Sequence, residues 1–132
     1  MSQSVLFVSP SNDDARRLSL ILRSLPVQLV HVPDLKQARK KLTHREFAAI
    51  LTDTVLADGI WTDVLDLARE AMPGARVIVT DRLADSRLWA EVLNLGAYDL
   101  LPQPFYESEV TRILANACSH GAGSPAALCA AS

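Results

Sequence analysis

The stretch VIVTDRLADSRLWAEVLNLGAYDLLPQPF, residues 77–105, holds two short apolar runs with a helix-period segment between them. Led in by Arg76, the run Val77, Ile78, Val79 and Thr80 reads as a strand of β-branched residues. Leu88, Val92 and Leu95 recur at helical spacing, and Gly96 supplies the stop. Asp99, Leu100 and Leu101 then read as a second short strand. Strand, helix and strand in this order form a crossover between parallel strands.

The same alternation extends toward the N-terminus. SVLFV (4–8), VQLVHV (27–32) and FAAILT (47–52) read as strands. Between them Ala15, Leu18, Leu22 and Leu25 share one helical face, as do Leu35, Ala38 and Leu42. Val64, Leu65, Ala68 and Met72 mark the next helix, stopped by Pro73-Gly74, and Val110, Ile113, Leu114 and Ala117 the last. The strands are continuously apolar, as strands buried on both faces must be. Five βα units in succession predict an α/β fold: a doubly wound five-stranded parallel sheet of flavodoxin-like order 2-1-3-4-5, with helices on both faces. Residues 1–118 are expected to form this domain, and residues 119–132, SHGAGSPAALCAAS, a tail or linker.

At 132 residues the chain suits one domain, and 49% hydrophobic against 5% aromatic residues means an aliphatic core. The net charge of −2 with scattered basic residues argues against direct binding of nucleic acid. The basic run Arg39–Lys41 is read as the solvated face of a helix. No apolar segment is long enough to span a bilayer, and MSQSVLFVSP lacks the regions of a signal peptide. Cys118 and Cys129 are not at metal-ligand spacing, so a cytoplasmic protein with reduced thiols and no membrane partner is expected. His31, His44 and His120 show no ligand spacing either.

In sheets of this kind the chemistry gathers at the carboxyl ends of the strands. Those positions are Ser9 and Pro10, Asp53, Thr80 and Asp81, and Gln103 and Pro104. Asp53 has two readings, as a working acid or as a turn-shaping acceptor of loop amides. Thr80 has two as well, a hydroxyl directed at Asp53 or a β-branched strand residue. In Ser11-Asn12-Asp13-Asp14 the pattern is a helix start, with Ser11 as N-cap and Asp14 at the third position. Arg82 reads as an exposed loop arginine.

Over residues 4 to about 117 the chain resembles the receiver domain of two-component response regulators. Thr80 closes the fourth strand, LGAYDLL resembles the family's xGAxDYL, and QPF matches its KPF except for the first residue. The resemblance implies that Asp53 stands at the phosphoacceptor position, Thr80 at the switch position, and Gln103 in place of the lysine that pairs with the phosphoryl group. It also implies a cis peptide before Pro104. The two acids that hold Mg²⁺ in the family stand here as Ser9 and Pro10, poor ligands for a hard cation. Asp81 replaces a small residue, Ala57 and Trp61 replace a proline and a glycine, and Leu100 occupies the aromatic switch position. Trp61 is expected to pack across the vacated acid pocket.

Phosphoryl transfer depends on positioning and on neutralising developing charge, and both supports are weakened here. The expectation is an atypical receiver-like signalling module of a phosphorelay. It would work by protein–protein contact, with weak or no phosphorylation and no enzymatic turnover. The alternative is a phosphoacceptor modified on Asp53 by a histidine kinase through an unusual metal site, and only then is Mg²⁺ a cofactor. The implied partners are a histidine kinase, an output domain or another regulator. A homodimer through the fourth helix, fifth strand and fifth helix is also implied, with Trp89, Tyr98 and Tyr106 as interface candidates. Trp89 beside Leu88 and Val92 is expected partly buried, an exposed ring marking an interface. A haloacid-dehalogenase-type phosphatase fails on its motif, because Val55 stands where the second aspartate belongs. No glycine-rich loop follows a strand, which argues against a nucleotide site.

Overall fold

The structure, a computed structural model, describes residues 3–82 and 85–121. In chain order the elements are β1 (Gln3–Val8), α1 (Asn12–Leu22), β2 (Val27–Val32), α2 (Leu35–His44) and β3 (Ala49–Asp53). There follow β4 (Val55–Leu56), β5 (Gly59–Ile60), α3 (Trp61–Ala71), β6 (Arg76–Asp81), α4 (Ser86–Asn94), β7 (Asp99–Pro102) and α5 (Glu107–Gly121). The main sheet is parallel, with order β2-β1-β3-β6-β7. Since β6 and β7 are its fourth and fifth strands in chain order, this is the expected 2-1-3-4-5.

The pleat sends alternate residues to opposite faces. From β1, Leu6 and Val8 join Ile50, Val77 and Val79 under Ala38, Leu42, Val64, Leu65 and Val92 of α2, α3 and α4. Val5 and Phe7 join Leu51, Ile78 and Leu101 under Leu18, Val110, Ile113 and Leu114 of α1 and α5. The two aliphatic layers leave the strand ends open at the rim, where the polar residues collect.

The helix starts are chemically set. Ser11, Asp34 and Asp85 accept from the backbone N–H of Asp14, Gln37 and Leu88 at 3.1, 2.9 and 2.8 Å. Gly96 ends α4 with φ 102°, and a Cβ there would meet the Arg69 guanidinium, which donates to Leu95 O at 2.6 Å.

Three details differ from the expectation. Helix α1 stops at Leu22, and Leu25 follows in a turn with its N–H on Leu22 O at 3.0 Å. Strand β3 runs from Ala49 through Asp53 rather than from Phe47 to Thr52, because Asp53 continues the register opposite Thr80. The small antiparallel hairpin of β4 and β5 was not expected. Helix α5 continues to Gly121, and residues 122–132 of the expected tail lie outside the described residues. No helix among the described residues is long and apolar enough to cross a membrane.

Candidate functional site

Four strand ends bring the predicted site residues together. Asp53 is the last residue of β3 and pairs in register with Thr80 of β6. Ser9 follows β1 directly, and Gln103 follows β7 ahead of a cis bond to Pro104, as the resemblance implied. Ser9, Thr80 and Gln103 are buried, and Asp53 is half-buried.

Both carboxylate oxygens of Asp53 are engaged. Ser9 Oγ donates to Oδ2 at 2.6 Å, and Thr80 Oγ1 donates to Oδ1 at 2.5 Å. The Gln103 amide reaches Oδ1 and Thr80 Oγ1, each at 3.4 Å. Three neutral donors thus surround one anion, and hydrogen bonds to an ionised acceptor are the stronger kind. The surrounding backbone holds these groups in place. Ser9 Oγ also accepts from Ser11 N at 3.1 Å, Ser9 O accepts from His31 Nε2 at 2.8 Å, and Gln103 N donates to Asp81 O at 2.9 Å.

A cavity of about 540 Å³ opens over this cluster. Asp14, Asp53 and Asp81 line it with Arg82, and Val55 forms part of its wall. Asp81 accepts from Thr54 Oγ1 at 3.1 Å, while Arg82, 71% exposed, bridges to Asp14 at 3.3 Å. Pro10 is exposed and offers no side-chain donor. Trp61 does not cover the cavity. It is buried with Leu6, Val8, Leu56 and Val64 on one face of the sheet, because its place at the first turn of α3 points it into that core.

The interface candidates separate. Trp89 is 51% and Tyr106 63% exposed, so Trp89 faces outward while Val92 takes the inward side of α4. Tyr98 is half-buried under the Arg76 guanidinium, 5.4 Å from its ring centre. Burial pushes its phenol pKa up, and the charge of Arg76 opposes that.

Two features escaped the sequence reading. One is the hairpin, which turns at Ala57-Asp58 and pairs Leu56 with Gly59. The other is Asp58 itself, whose carboxylate accepts from Leu35 N at 2.8 Å and Lys36 N at 3.1 Å at the start of α2.

A doubly wound parallel sheet with an aspartate, a threonine and an amide at its carboxyl edge defines a class of fold, and solved structures identify it. The chain superposes on the signal receiver domain of an HD domain-containing protein from Pseudomonas fluorescens Pf-5 with TM-score 0.83, 24% identity and coverage of 92% of this chain and 90% of that one. It superposes on the receiver domain of the sensor histidine kinase PA1611 from Pseudomonas aeruginosa PAO1, with magnesium in its active-site cleft, at TM-score 0.79, 24% identity and coverage of 90% and 99%. The beryllofluoride-activated NtrC4 receiver domain, a dimer, gives TM-score 0.82, 24% identity and coverage of 89% and 98%. The fold is that of a receiver domain. No protein-family profile and no curated protein sequence matches the chain.

The residues here do not fit the magnesium of the PA1611 receiver. A hard dication needs several converging oxygens, carboxylates among them. Among the described residues no three or more acidic, histidine or cysteine side chains converge in that way.

Proposed function

We infer that the protein is a receiver-like signalling module, formed by residues 1–118 with 119–132 as tail or linker, that works by protein–protein contact with weak or no phosphorylation of Asp53. One observation carries this reading: the Asp53 carboxylate is held by three uncharged side chains, Ser9, Thr80 and Gln103. No ammonium among them pairs with an incoming phosphoryl group. Ser9 and Pro10 supply no carboxylate for a metal. Without charge neutralisation the transfer loses its main source of acceleration. The module has no turnover chemistry of its own, needs no cofactor and resides in the cytoplasm.

Its partners on this reading are a histidine kinase, an output domain or another regulator, with no direct contact to nucleic acid or membrane. The face of α4, β7 and α5 is the proposed contact and dimer surface, where Trp89 and Tyr106 stand exposed and Tyr98 is half-buried. The test is a titration with Mg²⁺ and then beryllofluoride, followed by backbone amide NMR. Flat titrations at Asp53 and Thr80 are expected. Saturable shifts that vanish in Asp53→Asn would replace this reading with a phosphoacceptor using an unusual metal site.

A further inference from the structure

The hairpin between β3 and α3 is a rigid projection with an apolar outer face. Leu56 points into the core at 5% exposure, and its cross-strand neighbour Gly59 is packed so closely that a Cβ would lie 2.7 Å from Asp63 Oδ2. The other cross-strand pair, Val55 and Ile60, faces out at 66% and 45% exposure. Side chains opposite each other in an antiparallel pair share a face, so these two form one apolar step.

The step is held from three directions. The Asp58 carboxylate ties the turn to the start of α2, Ile60 N donates to Asp63 at 2.9 Å, and Trp61 N donates to Thr54 O at 3.1 Å. A loop so tied loses little freedom when it is covered.

Val55 also walls the Asp53 cavity, so the apolar step continues into a space that the Asp53 carboxylate lines. Arg82 answers Asp14 at the rim. Deeper in, Gln103 brings an amide where a cation would balance Asp53. The field at the mouth therefore favours a positive side chain arriving from outside.

We propose that the Val55–Ile60 face and the adjoining mouth of the Asp53 cavity form a docking surface for a basic segment of a partner protein. An aliphatic residue of that segment seats on Val55 and Ile60, and a neighbouring lysine or arginine enters toward Asp53. The inference rests on the contact-signalling reading and assigns it a surface distinct from α4.

The probe is a short amphipathic helical peptide of leucine and lysine, titrated into the labelled full chain under amide NMR, with a leucine–glutamate counterpart as control. Saturable shifts at residues 54–60 and 80–82 are expected for the lysine peptide alone. Val55→Ser with Ile60→Ser should weaken its binding about ten-fold or more, with core amides unmoved. No shift with the lysine peptide, equal binding by the double variant, or shifts confined to Trp89 and Leu93 would overturn the proposal. Shifts confined to α4 would leave the contact reading standing. A saturable beryllofluoride response at Asp53 would remove that reading instead.

Discussion

Helices α3 and α4 cover the same face of the sheet, yet they are attached to it very differently. From α3 the core takes Trp61, Val64, Leu65, Leu67 and Ala68. From α4 it takes Val92 alone, with Leu88 half-buried beside it. Leu93 and Trp89, four positions apart, instead form an outward apolar ridge at 45% and 51% exposure. One helix serves the core; the other presents itself. The difference separates residues that hold the fold from residues available to a partner, and it does so with a tryptophan on each side.

The sharpest way to break the comparison is to truncate the two tryptophans in turn. Trp61→Ala should cost about 3–5 kcal/mol, the range for emptying a buried aromatic site. Urea unfolding measures it, and a loss within about 0.5 kcal/mol, the level of a surface substitution, would place the ring outside the core. Native-state hydrogen exchange should also show α4 opening at lower free energy than α3, since its attachment is thinner.

The Asp53 cluster can be tested in the same way. Asp53→Ala strands the buried hydroxyls of Ser9 and Thr80, and leaving buried donors without partners should cost about 2–3 kcal/mol. An aspartate kept under tension for chemistry would behave the opposite way, and a stabilised variant would return Asp53 to a catalytic role. Ser9→Asp sharpens the same point. A second carboxylate beside Asp53 should cost about 1–3 kcal/mol through like-charge repulsion. Added Mg²⁺ should recover that loss in the variant while leaving the native protein unmoved, as thermal unfolding with and without the ion would show.

How much of this was legible beforehand follows from what each element depends on. The sheet order was legible because every strand and helix carries its own period, and the strand-end list of Ser9, Asp53, Thr80 and Gln103 follows from topology alone. The hydrogen-bond pattern was not. Whether Thr80 turns its hydroxyl to Asp53 depends on the register of β3 against β6, and the expected strand stopped one residue short of Asp53. Trp61 was placed over the acid pocket because helix phase at a first turn is hard to read without the cap. Here Asp63 accepts from Ile60 N and fixes that turn. The hairpin was missed because two-residue strands have no period to detect.

On the presenting side of the comparison the effects shrink. Trp89→Ala should change stability by no more than about 1 kcal/mol, because half of the ring is already in water. The same substitution should abolish whatever self-association equilibrium sedimentation detects. A large stability loss would mean that α4 is anchored as firmly as α3.

The smallest expected effect is at Asp58, which is fully exposed yet accepts two backbone N–H groups at the start of α2. The Leu35 N–H is the main cause that holds its carboxyl below the ordinary 3.8; desolvation opposes it, and the Lys36 N–H lowers it further. A folded pKa below the unfolded one gives a contribution that is complete above the unfolded value. It is lost as pH falls through the folded value. Full exposure keeps that contribution slight, so the measurement is local: the side-chain carboxyl carbon of Asp58 should titrate with a midpoint below 3.8. Asp58→Ala should raise the exchange rate of the Leu35 amide while leaving α3 protected, since the core side of α3 does not depend on this tie. A midpoint at or above 3.8 would detach the hairpin from α2 in solution, and with it the rigidity that holds Val55 and Ile60 outward.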